Sequence, residues 1–173
     1  MKQTLLVYAQ KYICAVDTLC EKIGKTVAWF TTLLVLLIVW DVIARYWFSF
    51  TSAGIVELEW HLFAAIFLLS TAYTFQKDRH VRVDVWYSRQ SLRTKAFINL
   101  IGGILFLLPL CIVCIVYGAI YAYQAWWFQE GSPDAGGLPY RFIIKSFTPI
   151  GIFLLFLQGI SEILKALLIF AKK

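Results

Sequence analysis

Four long apolar segments, separated by polar ones, dominate the amino-acid sequence. We predict membrane spans at about 26–46, 58–76, 97–127 and 146–168. A helix needs roughly 20 mostly apolar residues to cross the ~30 Å hydrocarbon core of a bilayer. The second segment is close to this lower limit, whereas the third is too long for one crossing and too short for two crossings with a turn. The pattern therefore predicts four transmembrane helices.

The third and fourth segments contain residues that affect helix packing. Pro109 removes a backbone donor, so we expect the third span to be kinked there or to extend beyond the membrane. Gly118 and Ala122 are four residues apart, a spacing that lets another helix approach closely. Pro149 is expected in the first turn of the fourth span, where a missing N–H costs little.

The first residues of the chain form a different pattern. Residues 2–23 place apolar side chains at helical spacing with charges between them. Such an amphipathic helix can lie in the membrane interface or pack against a partner protein, and the sequence leaves both open. Lysines mixed with acidic residues do not fit a cleavable signal peptide. We therefore predict one all-α membrane domain over 1–173, with an N-terminal amphipathic helix and four spans.

Composition and charge give this domain an orientation. Apolar residues make up 61% of the chain and charged residues 15%, which is more apolar than a soluble domain. Of the 16 Lys and Arg residues, 13 lie in the N-terminal, central and C-terminal segments and 3 lie in the other two loops. Because basic loops stay in the cytoplasm, both termini and residues 77–95 are predicted to be cytoplasmic. The net charge of +6 has this topological explanation, so we expect no nucleic-acid binding.

Two pairs of polar residues are one helical turn apart. Asp41 and Arg45 are predicted to form an ion pair near the outer boundary of the first span. The alternative is that Asp41 binds a coupling ion or a proton. Glu57 and His61 have the same spacing and are expected to share a hydrogen bond on one helical face.

The chain contains no recognisable catalytic or nucleotide-binding motif. His61 and His80 are predicted on opposite sides of the membrane, so they cannot ligate one haem. Cys111 and Cys114 form a C-x-x-C, but they lie inside an apolar helix, and Cys14 and Cys20 are on the reducing side. We interpret all four cysteines as packing residues and expect neither enzymatic activity, a metal nor a cofactor in this chain. The alternatives are a four-span thiol oxidoreductase and a stand-alone ion-coupled exporter that uses Asp41.

Two motifs resemble a known family. Glu57-x-Glu59, the apolar span after it and D-R-H-V-R-V-D at 78–84 resemble the small, DctQ-like membrane subunit of tripartite ATP-independent periplasmic (TRAP) transporters. The sequence G-L-P-Y-R-F-I-I-K-S-F-T-P-I-G at 137–151 is similar to the start of that family's last span. The resemblance covers about residues 26–168.

The resemblance implies a three-part uptake system in the bacterial inner membrane. A periplasmic binding protein captures an organic acid, a large permease subunit transports it with sodium ions, and the small subunit braces the permease and helps dock the binding protein. The sodium gradient is then used by the complex, and this chain holds no cofactor. We expect contacts with the permease or with phospholipid headgroups at Glu57, Glu59, Trp60, His61, Arg79, His80, Arg82, Asp84, Gly118, Ala122, Pro139 and Pro149.

Overall fold

A computed structural model describes the protein over residues 2–78, 87 and 89–171. This part of the chain contains four helices that are long and apolar enough to cross a membrane, as predicted. The helices are α1 (Lys2–Phe48), α2 (Ala53–Gln76), α3 (Leu92–Trp127) and α4 (Phe142–Ala171). The all-α class and the four spans are therefore confirmed.

Helix α1 joins two segments that the sequence analysis treated separately. Residues 2–23 and 26–46 lie in one uninterrupted helix of 47 residues. At 1.5 Å per residue this helix is about 70 Å long, more than twice the ~30 Å hydrocarbon core. The prediction of a separate N-terminal helix is thus corrected, because no residue between the two segments breaks the helix.

The N-terminal part of α1 packs on its own chain. Val16 and Cys20 form a buried cluster with Ala72 of α2 and Leu154 of α4. This buried face therefore contacts other helices of the same chain, and not a membrane surface or a partner protein. Contact of the remaining, exposed face with the membrane surface or with a partner protein stays a prediction, with both alternatives open.

Helix α4 lies at the centre and contacts the other three helices. A Cβ atom on Gly151 would lie 2.5 Å from the main-chain oxygen of Leu68, so α2 and α4 touch through their backbones. The helix begins at Phe142, because Tyr140 and Arg141 already accept the first helical hydrogen bonds from Ile143 and Lys145. Helix α4 therefore begins four residues earlier than predicted. Pro149 lies inside the helix and not in its first turn, so the prediction for this residue is corrected.

Helix α3 contains one wide turn. The α-helix Leu92–Gly102 continues through a π-helical turn, Gly103–Leu107, into Leu108–Trp127. The Leu108 N–H donates to the main-chain oxygen of Gly103, five residues back. Because Pro109 has no N–H to offer, a wide turn just before it accommodates the interrupted hydrogen-bond ladder. The irregularity predicted at Pro109 is therefore a π-turn that begins six residues earlier.

The small residues of α3 face α4 of the same chain. Cys111, Gly118, Ala122 and Ala125 are all buried. A Cβ atom on Gly118 would lie 3.3 Å from Cδ of Pro149. Within this chain, α4 is thus the helix that approaches Gly118, and contact of Gly118, Ala122 and Pro149 with another subunit stays a prediction.

Two glycines allow the close packing of α4 to be tested. Gly151→Ala should destabilise the protein by about 1–3 kcal/mol, the usual cost of overpacking a core, because the backbone of Leu68 leaves no room for a methyl group. Gly102→Ala makes the same change in α3, where nothing lies within 4 Å. Since Gly costs helices roughly 0.5–1 kcal/mol relative to Ala, the control should be neutral or stabilising. The unfolding of both variants in mixed micelles measures the difference, and equal stabilities would contradict the packing described.

Candidate functional site

The carboxylate of Glu57 is the centre of the candidate site. Its side chain is only 5% exposed, although it lies at the start of α2, next to the α1–α2 loop. Oε2 accepts a hydrogen bond from the main-chain N–H of Leu138 at 2.6 Å, and Oε1 accepts one from the hydroxyl of Ser132. Nη2 of Arg141 lies 3.3 Å from Oε1. One buried carboxylate therefore holds three positions of the α3–α4 loop, residues 128–141.

The α3–α4 loop is also closed by its own backbone. The Arg141 N–H donates to the Glu130 oxygen at 2.9 Å, and the Ser132 N–H donates to the Leu138 oxygen at 3.1 Å. Gly137 fits where no larger residue can, because a Cβ atom there would lie 2.2 Å from Oγ of Ser132. These contacts give the loop a defined shape around Glu57.

Two basic residues, Arg141 at the end of the loop and Lys145 in the first turns of α4, each pair with a carboxylate of the chain. Lys145 pairs with Glu130 and lies 3.9 Å from the centre of the Tyr121 ring. The guanidinium carbon of Arg141 lies 5.7 Å from the centre of the Trp60 ring. Cation–π contacts of this kind stabilise a partly desolvated cation. The loop is thus attached to α2, α3 and α4 by ionic and aromatic contacts.

The outward side of the loop is exposed. Gln129 and Tyr140, at its two ends, have positive φ angles of 49° and 62°, a region that non-glycine residues seldom adopt. Such conformations persist only where surrounding contacts enforce them. A loop that is fixed from behind and open in front can serve as a rigid docking surface. Its exposed residues are Phe128, Gln129, Gly131, Pro133, Asp134, Ala135, Gly136, Pro139 and Tyr140.

Glu57 and His61 share a hydrogen bond, as expected, but through the main-chain oxygen of Glu57 and not through its carboxylate. Nδ1 of His61 is the ring atom in this contact. The Glu57 carboxylate turns away because the loop offers it three donors. The His61 ring packs on Trp60, with ring centres 4.0 Å apart.

A second acidic cluster lies where α1 and α2 approach the same end of the bundle. Asp41 is buried and pairs with Arg45 one turn later. Glu59 lies within electrostatic range of both. Its Oε1 atom is buried and accepts no hydrogen bond from the described residues. Two carboxylates thus share one arginine, and one of their oxygens lacks a donor.

A polar network ties α1 to α4 at the opposite end of the bundle. Oδ1 of Asp17 accepts hydrogen bonds from Gln158 at 2.9 Å and from Ser161 at 3.1 Å. Nζ of Lys165 lies 2.8 Å from Oδ2 of Asp17 and 2.7 Å from Oε1 of Glu162. Gln158 and Ser161 are completely buried, so this carboxylate satisfies donors that water cannot reach.

The sequence analysis did not identify this network. Gln158, Ser161, Glu162 and Lys165 recur at helical spacing within an apolar span, and this polar stripe was the available signal. Their partner Asp17 is more than 140 residues away, and nothing in the sequence points to it.

Some predicted positions cannot be placed. Arg79, His80, Arg82 and Asp84 lie outside the described residues.

The four cysteines are free: Cys20 and Cys111 are buried, Cys114 is partly buried and Cys14 is exposed. Across the described ranges, no three His, Cys, Asp or Glu residues form a group that could hold a metal ion.

Comparison with known proteins gives one informative result. A family model for the DctQ component of tripartite ATP-independent periplasmic transporters matches residues 34–168, which is more than half of the chain. The comparison with curated proteins produced no match.

Proposed function

Because the chain belongs to the family of DctQ components of TRAP transporters, we propose that it braces the large permease subunit and helps dock the periplasmic substrate-binding protein. The family match over 34–168 is the observation that carries this proposal. The family works as one part of a three-part transporter, together with a large permease and a binding protein. In this assignment the complex takes up an organic acid with the sodium gradient, and the small subunit itself is not an enzyme and needs no cofactor.

Bracing the permease requires membrane-embedded surface that the chain does not cover itself. Helix α1 exposes Trp29, Leu36 and Trp40, and α3 exposes Tyr117. Glu59 adds a specific polar contact, since a carboxylate oxygen without a donor is costly at the membrane boundary. We assign a donor from the permease to this oxygen.

Docking the binding protein requires a surface that is rigid before the partner arrives. The α3–α4 loop meets this requirement because Glu57 fixes it from behind while Asp134, Pro139 and Tyr140 stay exposed. A preformed surface lowers the ordering cost of association. The loop is therefore the proposed contact for the binding protein.

The proposed orientation places both termini in the cytoplasm of a bacterial cell and the α3–α4 loop in the periplasm. Lys77, directly after α2, pairs with Glu21, and Lys165 of α4 pairs with Asp17, so the basic-rich segments meet at one end of the bundle. Reporter fusions at residue 90 and at the C-terminus should read cytoplasmic, and fusions at residues 52 and 135 should read periplasmic. A periplasmic reading at residue 90 would overturn this orientation.

Co-purification tests the role as a subunit. The large permease should co-purify with the tagged wild-type chain, and sodium-driven uptake into proteoliposomes should need both membrane subunits and the binding protein. Glu59→Ala should weaken co-purification and uptake together, without changing which substrate is preferred. Asp134→Asn, which alters an exposed loop carboxylate, is the control for co-purification. Uptake by this chain alone, or a Glu59→Ala variant that assembles normally and switches substrate preference, would refute the proposal.

A further inference from the structure

Glu59 is a carboxylate that the chain itself leaves without a partner. Within the part of the chain that the structure describes, it forms no ion pair or hydrogen bond, and its Oε1 atom is buried. It lies within electrostatic range of Asp41 and Arg45, which already pair with each other. With Glu59 ionised, two carboxylates and one guanidinium leave one negative charge without compensation.

This group lies deeper than the boundary that the aromatic residues mark. Tyr46 and Trp47, at the end of α1, are highly exposed, and Trp and Tyr side chains are enriched at the interface between hydrocarbon and water. Asp41 lies six residues before Trp47 in α1, about 9 Å deeper at 1.5 Å per residue. Charges inside a membrane pair with one another or with a partner, because hydrocarbon does not compensate them. We therefore expect a second cation beside Glu59.

Exposed side chains surround Glu59 and Asp41 on both helices. Ile38 and Arg45 lie one turn before and after Asp41, and Val56 and Phe63 lie one turn before and after Glu59. Spacings of three and four residues along one side of a helix are typical of packing against another helix. We call this surface the α1–α2 face; it comprises Ile38 and Arg45 of α1 and Val56, Glu59, Phe63 and Phe67 of α2.

The α1–α2 face differs from the exposed side of α3. The sequence has no charged residue from 96 to 129, and the exposed side chains of α3 over 104–113 are apolar. Hydrocarbon alone can cover such a surface. A carboxylate within an apolar row instead favours a partner helix that brings a cation, as a single buried polar residue fixes partner and register in coiled coils.

We propose that a transmembrane helix of the large permease packs on the α1–α2 face and that a Lys or Arg of this helix pairs with the Glu59 carboxylate. This inference rests on the proposed function, because the occupant is the permease. A metal ion fits the site less well, since hard cations take about six oxygen ligands. Across the described ranges no third His, Cys, Asp or Glu joins Asp41 and Glu59.

A neutral amide at position 59 tests the charge. Glu59→Gln keeps the size of the side chain, and it should reduce the amount of co-purified permease by about tenfold, because the permease cation then lacks its carboxylate. Glu21→Gln makes the same change near the other end of α1, where the cations Lys25 and Lys77 belong to the chain itself. This control should assemble normally. Normal assembly of Glu59→Gln would show that no cation pairs with this carboxylate and would overturn the proposal.

A charge exchange tests the chemistry of the partner. Glu59→Lys should prevent co-purification, because two cations then meet in the interface. Each Lys and Arg in the membrane helices of the permease is then replaced by Glu, one at a time. One of these permease variants should restore at least half of the co-purification with Glu59→Lys and lose it with the wild-type chain. If no variant restores assembly, the partner of Glu59 is not a basic side chain.

Photocross-linking locates the contact while Glu59 stays unchanged. A photoreactive residue at 63 or 67 should cross-link to the permease several-fold more often than one at 106 on α3. Cross-links from 106 alone, or labelling of phospholipid alone from 63 and 67, in a complex that assembles would overturn the α1–α2 face and leave the proposed function in place. A wild-type chain that does not co-purify with the permease would overturn both.

Uptake measurements separate a basic side chain from a sodium ion. With a permease cation at Glu59, uptake in Glu59→Gln should fall in proportion to assembly, and the sodium concentration that gives half-maximal uptake should stay the same. A severalfold rise in this sodium concentration, in a complex that assembles normally, would assign the carboxylate to sodium and overturn the pair.

Discussion

Replacing Glu57 by glutamine should release the α3–α4 loop and strongly reduce uptake by the assembled transporter. The carboxylate accepts hydrogen bonds from Ser132 and the Leu138 amide, and it faces Arg141. The amide NH₂ of glutamine would meet one of these donors, while Arg141, whose side chain is 24% exposed, would lose its carboxylate partner. Hydrogen bonds to charged groups are worth about 1.5–3 kcal/mol, so exchange of the Leu138 amide with deuterium should accelerate by about ten- to a hundredfold.

The control for this experiment lies in the same loop. Asp134→Asn also converts a carboxylate into an amide, but the Asp134 side chain is exposed, and only its backbone takes part in the loop hydrogen bonds. Leu138 exchange should stay unchanged in Asp134→Asn, and Glu57→Asp should give an intermediate rate. In transport assays Glu57→Gln should raise the concentration of binding protein that gives half-maximal uptake. A fast-exchanging loop with unaltered binding-protein dependence would show that the loop is not the docking surface.

Periodicity and charge predicted the membrane spans well because both are local properties. An apolar stretch between charged ends must cross the bilayer wherever it occurs, so four spans follow directly from the sequence. The helix starts were less accurate: α2 and α3 begin five residues earlier than predicted and α4 begins four residues earlier. At α4, hydrogen bonds accepted by Tyr140 and Arg141 account for the earlier start. The continuity of 2–23 and 26–46 was missed because the first segment is amphipathic and the second mostly apolar, so the two were predicted as separate helices with Gly24 between them. In the structure Gly24 instead makes room for the Tyr73 ring.

The candidate site was predictable only in part. Glu57 was noticed because it comes directly before an apolar run, but its function in the fold depends on Leu138 and Ser132, more than 70 residues away. The sequence gives no sign of which main-chain N–H will donate a hydrogen bond. The path of a Gly- and Pro-rich loop depends on contacts with distant segments of the chain, here with Glu57 of α2. The same limit applies to Gly118 and Ala122. Their spacing predicts that a helix approaches, and it does not say whose helix it is.

Among the polar residues that the structure describes, we expect Asp17 to contribute most to the free energy of unfolding. The Asp17 carboxylate accepts hydrogen bonds from Gln158 and Ser161 and pairs with Lys165. Its main-chain oxygen accepts a hydrogen bond from the Gln76 side chain. A single interhelical hydrogen bond in a membrane protein is worth only about 0.6 kcal/mol on average. Removing one partner of a buried ion pair costs about 3–5 kcal/mol, whereas an exposed pair contributes about 0–1 kcal/mol. The side chains of Asp17 and Lys165 are 26% and 31% exposed, so their pair lies between these limits. We therefore expect Asp17→Ala to lower the free energy of unfolding by about 2 kcal/mol, measured by unfolding in mixed micelles.

Two further variants determine whether the loss comes from the link between α1 and α4. Glu162→Ala removes the other carboxylate that contacts Lys165, but that contact lies within α4 and should cost only about 1 kcal/mol or less. The double variant Asp17→Leu with Lys165→Leu removes both charges together and should recover part of the stability lost in Asp17→Ala, since apolar replacement of a buried pair is often neutral. If Glu162→Ala and Asp17→Ala are equally destabilising, or if the double variant is the least stable of the three, then Asp17 does not join α1 to the bundle in the way the structure indicates.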